Sequence, residues 1–511
     1  MNGTCIPPGE AGRRPEQQDR GGGAGARAGE FWTCAAISGV LGGTWIVEPA
    51  EPGGSALAAG VSTDSRSIQK GQAFIALRGD RLDGHDYLLQ ATTGGAGLLV
   101  VDSPGKVPRE LSSGRSTPIL CVPDTGLALL RLAAAWRRTL DGTPVVAITG
   151  SNGKTTTTRL VEAVLSSLGP GTASIKSFNN RVGVPLTILR ATPSDRFLVC
   201  EVGTNAIGEI AELAAVIEPD LTVITSIGRE HLEGLGGIQG SVREAVELIR
   251  SLRPGGRAIV PAECPELDQA IAEVVSARRT GPVQILRVGT SQGASDRIGG
   301  IAVDDDGVSF SIGDSEPFQV PLIGEHNAHN AACAVLVGRM LGLGDQAIAG
   351  ALSQARGAEM RLERLRVVRA PGEAPIEVIN DAYNANPESM LAAISTFKSL
   401  FGGSSRRKVA VLGDMLELGE HGPDCHREIG DAVASSGAFD LCVLVGPLMM
   451  FAGERIGKSI APDRVVPVGL LDDKTAQRVA AMLRPGDAVL LKGSRGMGVD
   501  RVLGALTSSK A

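Results

Sequence analysis

Residues 149–155 combine a glycine turn with a lysine and a threonine, residue types that can together bind the phosphates of a nucleotide. Backbone N–H groups at such a turn, and the dipole of the helix that follows it, point at one anion. Lys154 adds a positive charge suited to a β- or γ-phosphate, and the Thr155 hydroxyl can reach Mg²⁺. The motif is not a complete Walker A sequence, because Ile148 occupies the expected first glycine position, and an ordinary surface turn is the alternative. The predicted phosphate-binding residues are Gly150, Ser151, Asn152, Gly153, Lys154, Thr155 and Thr156.

Two further polar residues follow apolar segments that are typical of buried strands. Glu201 lies near the end of the segment 197–202, and His231 lies in the loop after the segment 221–226. Ligands of open α/β sheets bind at the carboxyl ends of the strands. A hydroxyl, a carboxylate and an imidazole there are suitable ligands for Mg²⁺, so Thr155, Glu201 and His231 are the predicted metal ligands. Taken singly, Glu201 can equally be a helix cap, and His231 can be a loop histidine without a ligand.

A pair of asparagines opens an alanine-rich helix further along the chain. Asn327 and Asn330 are three residues apart, a spacing that lets two amides face one planar ligand such as adenine. The alternative is that Asn327 is simply the N-cap of the helix.

Polar residues also follow the strands predicted near the C-terminus. Asp381 ends one of them and can hold a ribose or a metal-bound water, while Lys492 and Arg495 follow another and suit a carboxylate or a phosphate. Asn386, before Pro387, is expected to cap the next helix, which is a structural role compatible with function. A solvated basic turn is the alternative for Lys492 and Arg495.

The elements that position these residues alternate between strands and helices. Short apolar runs predict strands at 73–77, 97–102, 145–149, 197–202, 221–226, 377–380, 408–412, 441–445 and 488–491. Helices are predicted at 155–168, and from Asp124, as the cap, to about residue 140. The predicted fold is α/β with three domains: a small N-terminal α/β domain, a central P-loop-type parallel-sheet ATPase domain and a C-terminal Rossmann-like α/β domain. The expected boundaries are 1–30 for a disordered tail, then 31–140, 141–356 and 357–511.

Composition excludes several classes of protein. The net charge of −6 does not favour binding to nucleic acid or to an anionic membrane. The eight cysteines contain no C-x-x-C pair, which disfavours a zinc site or a disulfide framework and is typical of a reducing compartment. The first 30 residues lack the hydrophobic segment of a secretory signal, and a misassigned start codon would also explain them. We therefore expect a cytoplasmic protein without membrane insertion.

Together these motifs resemble the Mur ligases, the ATP-dependent amide ligases of bacterial cell-wall precursor synthesis. The resemblance lies in residues 149–155, Glu201, His231, 326–330 and 360–363. Further segments resemble the branch of the family that joins D-alanyl-D-alanine to UDP-N-acetylmuramoyl-tripeptide: 62–66, 81–86, 178–185, 380–387, 412–419 and 492–495. The resemblance covers about residues 35 to 505.

The resemblance implies a role for each part of the chain. ATP and Mg²⁺ would bind the central domain, and the catalytic residues would be Lys154, Glu201, His231 and Arg361, with Arg361 reaching the ATP phosphates and Asp381 the nucleotide. The first domain would bind the UDP end of the substrate. The residues implied in substrate binding are Ser65, Arg66, Asn179, Asn180, Asn384, Lys492 and Arg495. The implied partners are small molecules, and we expect a monomer.

The chemistry explains why such residues are needed. A carboxylate is a poor electrophile, and transfer of the γ-phosphoryl group of ATP converts it into an acyl phosphate with a good leaving group. The anions that meet in this step require charge neutralisation and in-line placement. Water has to be excluded from the acyl phosphate, and domain closure is the expected means.

One position departs from the family pattern. The family usually places a carbamoylated lysine, which helps to hold a second Mg²⁺, on the helix after the His231 loop. Ala245 stands there, and no lysine occurs between Lys176 and Lys398. Our hypothesis is that Glu244 or Glu247 supplies the missing carboxylate; the alternatives are a single-metal site and two ordinary surface glutamates.

Two other functions remain open on the sequence alone. One is a related amide ligase, such as another Mur ligase or an enzyme of the folylpolyglutamate synthase type. The other is a nucleotide-binding protein that has lost catalysis, which the missing lysine suggests.

Overall fold

The computed structural model describes residues 30–50, 56–58, 60–79, 81–112 and 117–508. Three β-sheets follow one another along these residues, and helices pack on each of them. The α/β fold with three sheets confirms the predicted fold class. The tail predicted over residues 1–30 lies outside the described residues, except for Glu30.

The first sheet is small and mostly parallel. Its strands are Thr44–Val47 (β1), Val61–Ser62 (β2), Ala73–Ile75 (β3), Leu98–Val101 (β4) and Ile119–Cys121 (β5), in the order β1-β5-β4-β3-β2. Only β1 runs antiparallel to its neighbour among these described strands. The α-helices of this region are Cys34–Leu41, Leu88–Thr93, Arg109–Ser112 and Thr125–Arg137. Asp124 caps the last of them by accepting a hydrogen bond from the Leu127 N–H at 2.7 Å, which confirms the predicted cap.

The helix Thr125–Arg137 packs against the second sheet region as well as the first. Trp136 donates its indole N–H to the Ala191 carbonyl at 2.9 Å. Arg137 is fully buried, and its guanidinium donates to the Ile217 carbonyl at 2.8 Å. One hydrophobic core therefore joins the first two sheet regions.

An aromatic cluster lies at the centre of this shared core. Phe31, Trp32 and Trp136 are all buried, and their ring centroids are 5.0 to 5.3 Å apart. Tilted and edge-on ring pairs of this kind stabilise a core beyond the area that they bury. The cluster ties the start of the described chain to the helix Thr125–Arg137.

The second sheet carries the glycine turn. Its strands are Val145–Thr149 (β6), Thr172–Ala173 (β7), Leu198–Glu201 (β8), Leu221–Ile224 (β9), Arg257–Pro261 (β10), Gln284–Gly289 (β11), Asp296–Asp304 (β12), Gly307–Ile312 (β13) and Phe318–Val320 (β14). The order is β14-β13-β12-β11-β10-β9-β6-β8-β7. The α-helices of this region are Lys154–Leu165, Gly183–Arg190, Glu209–Ile217, Leu232–Leu235, Ile238–Arg250, Pro265–Ala277, His326–Met340 and Asp345–Ser353.

The predicted buried strands of this sheet are present, with β6 at the predicted residues and β8 and β9 slightly shorter than predicted. They are fully buried, as expected for a parallel sheet covered on both faces. Their carboxyl ends meet at one edge of the sheet, because β8 and β9 flank β6 in parallel register.

An antiparallel extension, β12 to β14, was not predicted. Asp304 forms the turn between β12 and β13 by accepting the N–H groups of Asp306 and Gly307 at 2.9 and 3.1 Å. The alternation of apolar and serine side chains from Val308 to Ile312 was the signal available in the sequence.

The third sheet is again mostly parallel. Its strands are Glu363–Val367 (β15), Ile376–Asp381 (β16), Lys408–Gly413 (β17), Leu441–Val445 (β18), Val465–Val468 (β19) and Ala488–Lys492 (β20), in the order β15-β16-β20-β17-β18-β19. Its α-helices are Pro387–Phe401, Gly422–Ser436, Met449–Ile456, Asp473–Met482 and Arg501–Ser508. The predicted cap is confirmed, since Asn386 and Ser389 form a reciprocal capping box with Pro387 as the first helical residue.

Short 3₁₀ helices complete the described structure: Gly84–Tyr87, Pro104–Lys106, Ser166–Leu168, Gly419–His421, Pro462–Arg464 and Arg495–Met497. Across the described ranges, no helix has both the length and the apolar character required to cross a membrane.

Candidate functional site

A cleft of about 640 Å³ lies between the carboxyl edge of the second sheet and the third sheet. Most of the residues predicted from the sequence line this cleft. They are Ser151, Asn152, Gly153, Lys154, Thr156, Asn179, Asn180, Glu201, His231, Asn327, Asn330, Arg361, Asp381, Asn384 and Lys492.

The glycine turn connects β6 to the helix Lys154–Leu165, as predicted. Gly150 and Gly153 have φ angles of 131° and 86°, in the region that favours glycine. A Cβ atom at Gly153 would collide with the side chain of Asn330. The loop after β9 holds the turn, because Ser226 accepts the Ser151 N–H at 2.9 Å on its carbonyl. A helix start leaves backbone N–H groups without helical partners, and such groups are suited to bind an anion.

The ammonium group of Lys154 is held by two carbonyls of this turn and by one carboxylate. It donates to the carbonyls of Gly150 and Ser151 at 2.6 and 3.3 Å, and it contacts both carboxylate oxygens of Glu230, at 3.1 and 3.3 Å. Glu230 is only 8% exposed. Burial raises the pKa of Glu230, while Lys154 opposes that shift. The lysine is paired with a carboxylate at the place where a phosphate is expected.

Glu201 is fully buried at the end of β8. Its Oε1 atom accepts hydrogen bonds from the Asn179 amide at 2.9 Å and from the Thr155 hydroxyl at 3.2 Å. Its Oε2 atom is buried and has no hydrogen-bond partner in the described residues. Burial raises the pKa of this carboxyl, although Arg361 and Lys154 both act to lower it.

An unpartnered carboxylate oxygen beside a threonine hydroxyl suits Mg²⁺, which takes one or two protein oxygens and completes its shell with phosphate and water. Thr155 and Glu201, two of the predicted metal ligands, lie within hydrogen-bond distance of each other. The third predicted ligand, His231, lines the same cleft as Glu201, and its Nδ1 contacts the carboxylate of Glu417 from the third sheet region. The described residues contain no cluster of three or more His, Cys, Asp or Glu side chains suited to a metal.

The two asparagines of the helix His326–Met340 bond to each other. The Asn330 amide donates to the Asn327 side-chain oxygen at 2.9 Å, and Asn327 in turn donates to the Ile323 carbonyl at 2.8 Å. Asn327 is not the N-cap, which is Glu325, so that alternative is wrong. Both amides line the cleft, and the Asn330 side-chain oxygen accepts the Thr157 hydroxyl of the helix Lys154–Leu165 at 3.3 Å.

Arg361 enters the cleft from the start of the third sheet region. Its two neighbours, Met360 and Leu362, have φ angles of 60° and 49°, which non-glycine residues rarely adopt. The guanidinium lies 4.4 Å from the centre of the Tyr383 ring. Asp381 holds this turn in place by accepting the Leu362 N–H at 3.0 Å.

The two basic residues after β20 have different environments. Lys492 is 2% exposed and pairs with Asp381 at 2.8 Å, and it also donates to the Asn384 carbonyl at 2.9 Å. Arg495 is largely exposed and pairs with Asp500 at 3.2 Å, outside the main cleft. The alternative of a solvated basic turn is wrong for Lys492, which is buried, whereas Arg495 is exposed.

The residues expected near the UDP end lie away from this cleft. Arg66 forms a two-pronged ion pair with Asp64 and lowers the pKa of Asp64 to about 2. Ser65 donates to the Gln90 side chain at 2.9 Å. Asn180, which does line the cleft, also accepts the N–H groups of Val182 and Gly183 on its side-chain oxygen, at 3.1 and 2.9 Å, just before the helix Gly183–Arg190.

The loop 225–231 of the second sheet region is bound directly by the third. Arg229 donates to Glu388 at 2.7 Å and to both oxygens of Glu428 at 2.7 and 3.0 Å. The Asn386 amide reaches Asn152 of the glycine turn at 3.0 Å. The two walls of the cleft are therefore joined by charged and polar side chains.

The hypothesis about the missing lysine is wrong for both glutamates. Glu244 is 3% exposed, and its carboxylate accepts the N–H groups of Gly208 and Ile210 at 2.6 and 2.9 Å, where it stabilises the start of a helix. Glu247 pairs with Arg250 at 3.0 Å. Neither glutamate lines the cleft, and Ala245 is buried in a hydrophobic core.

Four residues of the site were not predicted from the sequence: Arg229, Glu230, Tyr383 and Glu417. Glu230 and Arg229 follow β9 and obey the same strand-end rule that identified His231. The rule applies to Tyr383 after β16 and to Glu417 after β17.

Comparison with known proteins gives consistent results along the chain. Residues 58–136 match the model described as "Mur ligase family, catalytic domain", residues 148–338 the "Mur ligase middle domain" and residues 361–495 the "Mur ligase, glutamate ligase domain". The UDP-N-acetylmuramoyl-tripeptide–D-alanyl-D-alanine ligase of Bacillus subtilis is 35% identical over 88% of this chain and 93% of its own length. The ligase of the same name from Escherichia coli is 31% identical over 87% and 93%. A crystal structure of MurF from Acinetobacter baumannii superposes with a TM-score of 0.78 at 29% identity, over 93% of this chain and 99% of that one.

Proposed function

The chain belongs to the Mur ligase family, and from this premise we propose a role for each side chain of the cleft. It is an ATP- and Mg²⁺-dependent ligase that joins D-alanyl-D-alanine to UDP-N-acetylmuramoyl-tripeptide in peptidoglycan synthesis. The observation that supports the proposed roles most directly is the Glu201 carboxylate, which is buried beside Thr155 and has one oxygen without a hydrogen-bond partner in the described part of the chain.

The glycine turn and Lys154 bind the phosphates of ATP in this proposal. The N–H groups of the turn and the helix start face the anion, and Lys154 exchanges its pairing with Glu230 for one with phosphate oxygens. Thr155, Glu201 and His231 would hold Mg²⁺, which supplies charge neutralisation for the transferring phosphoryl group. Asn179 fixes the Glu201 carboxylate by its amide hydrogen bond.

Arg361 reaches the same phosphates from the opposite wall. The acid of the tripeptide accepts the phosphoryl group and becomes an acyl phosphate, which the amine of D-alanyl-D-alanine then attacks as phosphate leaves. The side chains that join the two walls, Arg229 and Asn386 among them, keep water out while this intermediate exists. Asn327 and Asn330 would contact the adenine, and Asp381 the rest of the nucleotide.

The remaining assignments concern the ends of the substrates. We assign the UDP end to residues 31–140, with Ser65 and Arg66 near it, ATP to 141–356 and the dipeptide to 357–511. Asn180, Asn384 and Lys492 then lie along the path of the peptide, and Arg495 lies just outside it. A cytoplasmic location agrees with nucleotide-linked substrates and with cysteines that form no disulfide within the described residues. We propose a monomer, since one copy supplies every site residue named above.

The test is phosphate release with ATP, Mg²⁺ and UDP-N-acetylmuramoyl-tripeptide, with and without D-alanyl-D-alanine, with the pentapeptide product followed by mass. We expect release and product to depend on the dipeptide. Lys154→Met and Glu201→Gln should each lower kcat/KM at least a hundredfold, whereas the exposed Lys474→Met is the matched control and should not.

The outcomes separate the alternatives. Product with a different amine in a panel of acceptors would indicate another amide ligase. Nucleotide binding without turnover in any mixture would indicate a catalytically inactive relative. Full activity of both cleft variants would refute the assigned roles while leaving the reaction in place.

A further inference from the structure

His231 is a predicted metal ligand whose imidazole is mostly buried, with 19% of the side chain exposed. It follows β9 at the carboxyl edge of the second sheet and lines the cleft. An imidazole binds a metal through one neutral nitrogen, and the hydrogen bond of the other nitrogen decides which one is available. The partner of the second nitrogen therefore matters for the ligand set.

Glu417 is that partner, and it comes from the third sheet region, 186 residues further along the chain. Its Oε2 atom contacts Nδ1 of His231. A carboxylate only accepts hydrogen bonds, so Nδ1 carries the proton in this contact. The Nε2 atom of the neutral ring then keeps its lone pair, and none of the described residues hydrogen-bonds to it.

The backbone around both residues is constrained. His231 has φ 48° and ψ 37°, and Glu417 has φ 63°, both in the left-handed region. Non-glycine residues enter this region at a cost in free energy, and such residues cluster at functional sites. The Glu233 N–H also donates to the Glu417 carbonyl at 3.2 Å, so backbone and side chain hold the two segments together.

The same loop is bound by the third sheet region at a second point, through the Arg229 contacts to Glu388 and Glu428. The contact between His231 and Glu417 thus exists only when the two walls of the cleft are joined. We propose that Glu417 is a positioning residue, which fixes the tautomer and direction of His231 so that Nε2 faces the metal, and that closure of the cleft thereby completes the ligand set. This inference rests on the proposed role of His231 as a metal ligand.

Outer partners of a metal-bound histidine typically change metal affinity or activity by 10- to 100-fold when removed. We expect Glu417→Ala to weaken the binding of Mn²⁺, used as a paramagnetic probe in the presence of ADP, by about tenfold. The value of kcat should fall by a similar factor, while KM for UDP-N-acetylmuramoyl-tripeptide stays within twofold. Glu417→Gln should recover most of both losses, because the amide oxygen still accepts the Nδ1 proton.

The control is Glu420→Ala in the adjoining 3₁₀ helix Gly419–His421, an exposed glutamate of the same segment. A second readout is the ¹⁵N spectrum of the histidine side chains, of which the chain has six. The signal missing from His231→Gln identifies His231, and it should show the Nδ1–H tautomer in the wild type with ADP and Mg²⁺. In Glu417→Ala that preference should be lost.

Unchanged Mn²⁺ affinity and an unchanged tautomer in Glu417→Ala would overturn the inference, provided that His231→Gln does weaken Mn²⁺ binding. If His231→Gln also binds Mn²⁺ normally and retains kcat, the assigned role of His231 is wrong instead. A Glu417→Gln variant as defective as Glu417→Ala would show that the charge of Glu417, and not its acceptor oxygen, is what matters, and would overturn the tautomer argument.

Discussion

Replacement of Arg229 by methionine tests how strongly the two walls of the cleft are joined. Arg229 makes three side-chain hydrogen bonds of 2.7 to 3.0 Å to Glu388 and Glu428. The three side chains are 29 to 40% exposed, so solvent screens both ion pairs. Exposed pairs contribute roughly 0.2–1 kcal/mol each, and the two-pronged geometry with Glu428 favours the upper part of that range.

The two pairs together therefore stabilise the joined arrangement by about 1–2 kcal/mol, which is a factor of about 5 to 30 in an equilibrium constant. The value of kcat/KM compares the transition state with the free enzyme. If the free enzyme is open and the transition state is closed, Arg229→Met should lower kcat/KM for D-alanyl-D-alanine by that factor. Salt screens exposed charges, so the difference between wild type and variant should shrink between about 0.05 and 0.5 M NaCl.

The matched control is Arg339→Met. Arg339 forms a two-pronged pair with Asp345 at 2.7 and 2.8 Å, with similar exposure, but both residues belong to the second sheet region. The Arg339→Met substitution should change the free energy of unfolding slightly and kcat/KM by less than twofold. An Arg229→Met enzyme whose kcat/KM stays within twofold of the wild type at low salt would refute the reasoning.

Three other predictions concern the turn, the arginine contact and a buried histidine. Gly153→Ala, at φ 86°, should weaken ADP binding at least tenfold by calorimetry, because the added Cβ displaces the turn. Tyr383→Ala should raise KM for ATP about two- to fivefold by removing the ring under Arg361, whereas Tyr383→Phe should not. Burial lowers the pKa of His426, which accepts the Met415 N–H at 3.0 Å. In the unfolded state the imidazole of His426 binds a proton as the pH falls through about 6.5, whereas in the folded state it does so only at lower pH. The free energy of unfolding should therefore decrease as the pH drops below about 6.5. His426→Gln should flatten that dependence in urea unfolding at pH 5 and pH 8.

Most of the candidate site residues could be predicted to lie together, because one rule of α/β sheets covers most of them. Apolar runs identified β6, β8 and β9, and the residues after them, Lys154 and Glu201, do lie on one edge. A local cap such as Asn386 could be predicted for a different reason, since its partner Ser389 is only three residues away.

The partners of those residues were not predictable, because packing between distant segments decides them. Asn327 and Asn330 have the spacing for a shared ligand, yet the same spacing lets them bond to each other. Lys492 was expected to meet a substrate anion, but burial brings it to Asp381. No periodicity in the chain shows that Glu417 would meet His231.

The aromatic cluster of the shared core has a practical consequence for spectroscopy. All three tryptophans, Trp32, Trp45 and Trp136, precede β6, and the third sheet region contains none. Intrinsic tryptophan emission therefore follows the first two sheet regions, whereas far-ultraviolet circular dichroism follows all three. Coincident denaturation curves from these two signals would mean that the chain unfolds as one unit, and separated curves would give the stability of the third region by difference. A single tryptophan introduced after residue 357 would then report on cleft closure from the third sheet region, which has no native tryptophan.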